Sequence, residues 1–168
     1  MSYILETERL SLRKFILKDA SFIVELVNSP GWIEFIGDRN IRTEEDAKAY
    51  LESGPLKSYE QNGFGLSMVE LRNAKTSIGM CGILKRDNLE QPEIGFAFLP
   101  AFTSKGFAFE MANAVMTYAR QKLSLPVVSA IVVPNNGASI RLLEKIGMKF
   151  IKSFSFPGEN EVLWFYSI

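Results

Sequence analysis

The sequence predicts a mixed α/β domain in which helices flank one largely antiparallel sheet. Short segments rich in apolar and β-branched residues are concentrated in the middle and at the end of the chain, as expected for strands. Segments with apolar residues at helical spacing separate them. Because the 168 residues contain no internal repeat, low-complexity tract or linker, we expect one domain over residues 1–168.

The first third of the chain predicts one strand followed by two helices. Residues 9–15 alternate between apolar and polar side chains, which is typical of a strand. Asp19 is placed as the N-cap of the first helix. Thr43 begins the second, because acidic residues in a first turn suit the helix dipole and its spacing to Asp46 resembles a capping box. That helix is expected to break near residues 54–55, Gly-Pro, and then to resume.

The rest of the chain predicts six more strands and two more helices. The strands are expected over 64–71, 77–84, 93–99, 127–133, 148–156 and 162–168. One helix follows the strand 93–99, and a shorter helix follows the strand 127–133. If these two strands are parallel neighbours, the loops after them lie at the same end of the sheet.

Composition excludes several kinds of protein and of chemistry. Lysine plus arginine and aspartate plus glutamate both total 19, so nothing in the overall charge favours nucleic acid or an anionic membrane. No segment approaches the roughly 20 apolar residues that span a bilayer, and the first residues do not resemble a signal peptide. With one cysteine, the chain cannot form an internal disulfide. We therefore expect a cytoplasmic protein.

The chain contains no histidine, which excludes His-based general base catalysis and His-ligated zinc. A cysteine-only zinc site needs more thiols than Cys81 supplies, so we expect no metal. Cys81 itself lies in an apolar strand, and without an activating histidine we interpret it as a buried strand residue rather than a nucleophile. The chemistry must use carboxylates, hydroxyls, lysines or backbone groups.

The stretch AFTSKGFAFEMANAVMTYARQK predicts an anion site at the start of a long helix. The first turn of a helix has unpaired N–H groups and the positive end of the dipole, so a pyrophosphate is well placed there. Gly106 allows close approach of a ligand to the backbone, and Ala108 has no side chain to block it. The alternative is an ordinary capped helix with a glycine in its loop.

A second loop, PNNG, precedes the helix within NGASIRLLEKIGMKF. Asn135 or Asn136 is expected to cap this helix, whatever else it does. KGFAFE and NGASIRLLEKIGMKF together resemble the signature segments of the GNAT superfamily of acetyl-CoA-dependent N-acetyltransferases. EIGFAFLPAFTSKGFAFE and the opening ETERLSLRKF are similar to the branch that includes ribosomal-protein N-terminal (alanine/serine) acetyltransferases, so the resemblance covers nearly the whole chain.

The resemblance implies a GNAT-like sheet with a V-shaped splay between the fourth and fifth main strands, 93–99 and 127–133. Acetyl-CoA, the cosubstrate, would lie in this splay, where the backbone of Phe98 and Leu99 pairs with its pantetheine arm as another strand would. Asn136 would contact the same arm, and Ser139 would lie near the sulfur. The residues expected to hold the pyrophosphate are Ser104, Lys105, Gly106, Phe107 and Ala108.

The resemblance also implies catalytic roles. Glu93, in the strand that enters the cleft, is the candidate base acting through water, although it is equally compatible with an ordinary strand residue. A backbone N–H near Phe98 or Leu99 would stabilise the oxyanion. Leu143 occupies the position at which many relatives carry a tyrosine that protonates the leaving thiolate. Either Ser139 replaces that tyrosine, or the thiolate leaves without a protein acid.

The implied acceptor is a primary amine, either a protein N-terminus or a small molecule. Trp32 and Phe35 lie in the segment that borders the acceptor site in relatives; they either bind the substrate or pack the first helices onto the sheet. The alternative function is a CoA-binding sensor or interaction module that has lost catalysis, and a purely structural domain is a third reading. The protein is expected to be a monomer or a homodimer.

Overall fold

The computed structural model describes residues 2–168, which form a sheet of eight strands flanked by helices. The strands are β1 (Leu5–Glu6), β2 (Leu10–Arg13), β3 (Ser67–Leu71), β4 (Ser77–Leu84), β5 (Glu93–Phe98), β6 (Ser129–Val132), β7 (Lys149–Phe154) and β8 (Leu163–Ser167). Their order in the sheet is β1-β2-β3-β4-β5-β6-β8-β7. Every neighbouring pair is antiparallel except β5 and β6, which are parallel. The predicted fold class, mixed and mostly antiparallel, is confirmed.

Six α-helices cover the two faces of this sheet in the part of the chain that the structure describes. They are α1 (Ala20–Val27), α2 (Pro30–Phe35), α3 (Glu44–Leu51), α4 (Lys57–Asn62), α5 (Phe107–Gln121) and α6 (Gly137–Lys145). One buried cluster joins the sheet to α5 and α6, and a second joins it to α1, α2 and α3. Met68 belongs to the second cluster and Val69 to the first, so the clusters lie on opposite faces. None of these helices is long and apolar enough to cross a membrane.

The second and third helical segments differ in detail from the prediction. A short helix that was not expected from the sequence, α2, begins at Pro30 soon after α1 ends, because proline has a φ suited to a first helical position and no N–H that needs a partner there. The predicted break at residues 54–55 is one wide turn, Glu52–Leu56, after which α4 begins at once. Pro55 cannot donate a helical hydrogen bond, and the wider turn accommodates it.

Asp19 stands at the N-cap position of α1, but its side chain does not cap the helix. Its two carboxylate oxygens accept hydrogen bonds from Arg13, at 2.9 and 2.8 Å, and one of them also accepts from the N–H of Ile16. Arg13 donates in addition to Glu70 at 3.1 Å, and all three charged side chains are buried. The predicted capping role is therefore wrong: a buried guanidinium needs carboxylate partners, and Asp19 supplies one.

The capping box predicted at Thr43 is confirmed. The Thr43 hydroxyl accepts from the N–H of Asp46 at 3.1 Å, and the Asp46 carboxylate accepts from the N–H of Thr43 at 3.1 Å. Thr43→Ala removes one of these bonds, so we expect a loss of about 1 kcal/mol in the free energy of unfolding, measured by urea denaturation. Thr43→Ser keeps the hydroxyl and should keep most of that stability. If the alanine variant and the wild type had the same urea midpoint and the same slope of unfolding free energy against urea concentration, this capping role would be contradicted.

Candidate functional site

The sheet opens between β5 and β6. Within residues 2–168 the registered pairing of these strands is confined to Glu93 and Ser129, next to which the Ser129 N–H donates to the carbonyl of Pro92 at 2.9 Å. Both strands run from this point towards their carboxyl ends without further registered pairs. The result is a V-shaped cleft, closed at Glu93 and open at the loops that follow β5 and β6.

The edge of β5 facing this cleft presents backbone groups from alternate residues. The N–H of Leu99 donates to the carbonyl of Ile78 on the β4 side, and the carbonyl of Leu99 accepts from Phe102, both at 2.9 Å. Because backbone groups point alternately to the two sides of a strand, those of Phe98 point the other way, towards β6. The backbone groups of Leu99 are therefore occupied within the protein, and of these two residues it is Phe98 whose backbone faces the cleft.

The loop between β5 and α5 leads from the cleft into the first turn of a 15-residue helix. Ser104 and Gly106 both have positive φ, +60° and +83°, and Gly106, the N-cap of α5, has no side chain that could cap the helix. This conformation is left-handed, which glycine adopts without strain. Ser104, Lys105 and Gly106 are exposed, while Phe107 and Ala108 are half-buried. The first-turn N–H groups of α5 thus meet an open loop, and the helix dipole adds positive potential there.

Arg9, which the sequence analysis did not single out, lies against this loop. Its guanidinium donates to the carbonyl of Lys105 at 3.1 Å and to the carboxylate of Glu110 at 2.7 Å. Its central carbon lies 4.3 Å from the centre of the Phe107 ring. A Cβ added to Gly106 would be 3.3 Å from one of its nitrogens. Arg9 belongs to the opening segment ETERL, which contributes to the family resemblance but does not indicate a contact with the loop before α5.

The loop after β6 holds Asn136 at the open end of the same cleft. Its side-chain oxygen accepts from the N–H of Ser139 at 3.2 Å, so the predicted cap of α6 is confirmed for Asn136. The ammonium of Lys145 lies 4.1 Å from the centre of the Phe109 ring, which joins α6 to α5. The helices that follow the two loops are thus neighbours, as the predicted parallel strands require.

Leu143 stands where the family resemblance would place a tyrosine, and it has no group that could donate a proton. Its side chain is 1% exposed and belongs to the cluster between the sheet and α5. Ser139, half-buried in the first turn of α6, lies four residues before Leu143 and therefore on the same side of the helix. Cys81 is fully buried, as predicted, and burial raises the pKa of its thiol to about 12, so it is not a nucleophile.

Glu93 is a buried carboxyl group at the closed end of the cleft. Its side chain is 5% exposed, and one oxygen accepts from the Arg86 guanidinium at 2.9 Å. The other oxygen has no hydrogen-bond partner within residues 2–168. Burial raises the pKa of Glu93, although the positive charge and hydrogen bond of Arg86 oppose this. An unpaired buried oxygen is costly in a folded protein, and it is common where a side chain must accept a proton.

The side chain of Glu93 lies on the face of the sheet that carries α1, α2 and α3. Ala97 and Leu99 share its side of β5, and both pack in the cluster of those helices, whereas Ile94 packs in the cluster of α5. On the same face, a cavity of about 340 Å³ lies between the connection that precedes β5 and the β7–β8 hairpin, with Gln91 and Phe165 in its wall. This cavity has no sequence signal, because its two walls are distant in the chain.

The two aromatic residues predicted at the acceptor end differ in exposure. Trp32 is 6% exposed and packs in the core with α1 and α3, which is the packing alternative stated above. Phe35 is half-buried. The more exposed apolar side chains of α2 and its end are Ile33 and Ile36, at 39% and 45%. Helical spacing explains this, because Trp32 faces the sheet while its neighbours in sequence face outwards.

Comparison with known proteins supports one family. Residues 9–149 match the family described as the acetyltransferase (GNAT) domain. The uncharacterized N-acetyltransferase YnaD of Bacillus subtilis (strain 168) is 32% identical over 143 residues, which are 85% of this chain and 81% of YnaD.

Solved structures share the fold over almost the whole chain. The GNAT-family acetyltransferase from Bacillus anthracis has a TM-score of 0.80 at 28% identity, covering 98% of this chain and 96% of that one. RimL, a ribosomal L7/L12 alpha-N-protein acetyltransferase solved in complex with coenzyme A, has a TM-score of 0.82 at 14% identity, covering 99% and 97%. At 14% identity the second likeness shows the fold alone. The family match and the identity to YnaD show that the chain belongs to the GNAT family and is an acetyltransferase.

Proposed function

We propose that this one-domain acetyltransferase transfers an acetyl group from acetyl-CoA to a primary amine by direct attack in a ternary complex. The observation that carries the proposal is the open edge of β5 leading directly into the uncapped first turn of α5. A strand edge suits an extended pantetheine arm, and free helical N–H groups suit a diphosphate. The RimL structure, which has the same fold, contains coenzyme A.

In this proposal the backbone of Phe98 pairs with the pantetheine arm, and the backbone of residues 104–108 holds the diphosphate. Gly106 fits this use, because its position is exposed and its φ of +83° leaves the neighbouring N–H groups accessible. Asn136 fixes the start of α6 on the opposite wall through its hydrogen bond to Ser139. Its amide nitrogen is the group that we assign to the arm.

The reacting amine must be neutral to attack the thioester carbon. An α-amine with a pKa of about 8 is roughly a tenth neutral at pH 7, whereas a lysine amine with a pKa near 10.4 is only a few ten-thousandths neutral. We assign the role of proton acceptor to the unpaired oxygen of Glu93, which takes the amine proton through a water molecule. The other oxygen of Glu93 already accepts a hydrogen bond from Arg86. As the C–N bond forms and the C–S bond breaks, the N–H of Phe98 stabilises charge on the carbonyl oxygen.

The leaving thiolate takes up a proton from solvent, either directly or through the Ser139 hydroxyl, which gives its proton to the sulfur as it takes one from water. Leu143 supplies no acidic group, and it is buried in the core. A thiol has an ordinary pKa of about 8.5, so a thiolate can depart at neutral pH with less help than an alkoxide would need. We therefore give Ser139 a secondary role.

We propose that the amine approaches Glu93 from the face that carries α1, α2 and α3. The cavity of about 340 Å³ on this face has room for a side chain or a peptide terminus. An α-amine needs less help from a base than a lysine amine, so a protein N-terminus is our first choice and a small amine our second. On this surface, Phe35 would contact the acceptor and Trp32 would support α2 from the core.

The coenzyme assignment predicts stabilisation by ligand. At about 100 times its Kd, acetyl-CoA should add roughly 2.7 kcal/mol to the free energy of unfolding, which appears as a rise in Tm. Differential scanning fluorimetry with a series of acetyl-CoA concentrations measures this, and free acetate is the control ligand. No change in Tm together with no heat in a calorimetric titration would overturn the coenzyme assignment.

A second function deserves a test because of Leu143: a CoA-binding module that has lost catalysis. A tyrosine at this position would be a protein acid for the thiolate, and the buried leucine is not. A thiol-release assay with a panel of peptides and small amines separates the two functions. Release of the CoA thiol in the presence of any amine supports the transferase. Tight binding of acetyl-CoA, with no thiol released in the presence of any amine tested, supports the module.

A further inference from the structure

We propose that Arg9 is a positioning residue that holds the β5–α5 loop in the shape that receives a diphosphate. The inference rests on the proposed function, because the loop is the proposed coenzyme site. Arg9 lies just before β2, about a hundred residues away from the loop in sequence, so tertiary structure alone brings the two together. Within the loop, the Thr103 hydroxyl donates to the carbonyl of Pro100 at 2.9 Å, but Gly106, the N-cap of α5, has no side chain that could hold the turn at the start of the helix.

The guanidinium of Arg9 contacts the loop from three directions. It donates to the carbonyl of Lys105 on one side of Gly106 and lies over the ring of Phe107 on the other side. It also pairs with Glu110, one turn into α5. A planar guanidinium can make these contacts together, because its donors form a rigid fork and its face stacks on an aromatic ring. The carbonyl of Lys105 is thereby turned towards Arg9 and away from an approaching anion.

The strand end that carries Arg9 is itself anchored to α5. The Glu110 carboxylate accepts from the N–H of Arg9 at 2.9 Å and from the hydroxyl of Thr7 at 2.6 Å. Arg9 is therefore attached through both its backbone and its side chain, which limits its motion relative to the loop.

The charges at this site also fit a diphosphate only while Arg9 is present. Glu110 would otherwise place an unpaired negative charge in the first turn of α5. Burial favours its neutral form, but the hydrogen bonds from Thr7 and Arg9 outweigh this and lower the pKa of Glu110 below its ordinary value. Arg9 is 44% exposed and neutralises that carboxylate, so the positive end of the helix remains available to an anion.

The test compares four proteins: wild type, Arg9→Gln, Arg9→Lys and Arg72→Gln. Arg72→Gln is the matched control, because it removes an exposed arginine that lies directly after β3 and contacts Thr7 and Glu6 but not the loop. Isothermal titration with CoA should give a Kd raised about tenfold for Arg9→Gln, as expected for the loss of one charge-assisted hydrogen bond, and an unchanged Kd for Arg72→Gln. Arg9→Lys keeps the charge but not the fork, so its Kd should also rise.

A second measurement needs no coenzyme. Amide hydrogen exchange of residues 104–108 should become faster in Arg9→Gln and Arg9→Lys, and remain at the wild-type rate in Arg72→Gln. Wild-type CoA affinity in Arg9→Gln, or full recovery of affinity in Arg9→Lys, would overturn the positioning role. If wild type does not bind CoA, the proposed function fails, and unchanged exchange in Arg9→Gln would then remove the positioning role independently.

Discussion

Replacing Gly106 with valine should abolish CoA binding, with Kd raised by at least about 100-fold, equivalent to losing two charge-assisted hydrogen bonds. Gly106 has φ of +83°, which costs a branched residue on the order of 1–3 kcal/mol. Its Cβ would lie 3.3 Å from a nitrogen of Arg9, so a branched side chain would push against the guanidinium that contacts the loop and would disturb the loop that presents the first-turn N–H groups of α5. Isothermal titration with CoA measures the affinity, and circular dichroism checks the fold.

The control for this prediction separates backbone strain from loss of the anion site. Gly63 follows α4 with nearly the same φ, +80°, and a Cβ there meets nothing within 4 Å. Gly63→Val therefore carries a similar conformational cost at a position far along the chain from the loop. It should lose stability like Gly106→Val and bind CoA as wild type does. Normal CoA affinity in Gly106→Val would contradict a backbone diphosphate site at the start of α5.

The loop between β5 and α5 was predictable from sequence because its signals are local. A glycine followed by a helix pattern indicates free N–H groups whatever the rest of the chain does, and Asn136 indicates a cap in the same way. Arg9 has no such signal: its contacts depend on packing between the start of the chain and α5. The occupied backbone groups of Leu99 were equally hidden, because they depend on the register between β5 and β4 and on the turn that follows.

The same distinction explains the errors in the fold. Strand and helix periodicity identified the main strands and α5, since each shows many apolar residues at one spacing. Two residues of β1 are too few to show a period, and Asp19 looks like a cap until Arg13 is brought beside it. Trp32 is a large aromatic residue of the kind that often binds ligands, but its position on α2 directs its side chain into the core.

The acetyltransferase assignment leaves the acid–base chemistry with few groups. Without histidine in the chain, and with leucine at position 143, a proton acceptor must come from a carboxylate or from solvent. Glu93 combines three properties expected of such a group: it lies where β5 and β6 begin to part, it is buried, and one of its oxygens has no partner within residues 2–168. A purely structural glutamate in a strand would be expected to satisfy both oxygens.

Glu93→Gln should lower kcat/KM by about 100-fold, the lower end of what a general base contributes, with little change in the Kd of acetyl-CoA. Glutamine keeps the shape but cannot take a proton. In wild type, Glu93 acts only when ionised, and burial raises its pKa, so activity should fall as pH decreases through a value above the ordinary glutamate pKa of about 4.3. Ionisation of the amine changes both enzymes equally, so the ratio of their kcat/KM values isolates Glu93.

That ratio should be constant at high pH and should fall towards one as Glu93 becomes protonated, because protonated wild type and Gln variant are then equivalent. Glu60→Gln is the matched control: the same change at an exposed position of α4, outside the wall of the cavity, should leave both kcat/KM and its pH dependence as in wild type. In Glu93→Gln, kcat/KM should fall further with lysine-type amines than with α-amines, since lysine-type amines depend more on a base. A ratio near one at every pH would assign Glu93 a purely structural role beside Arg86.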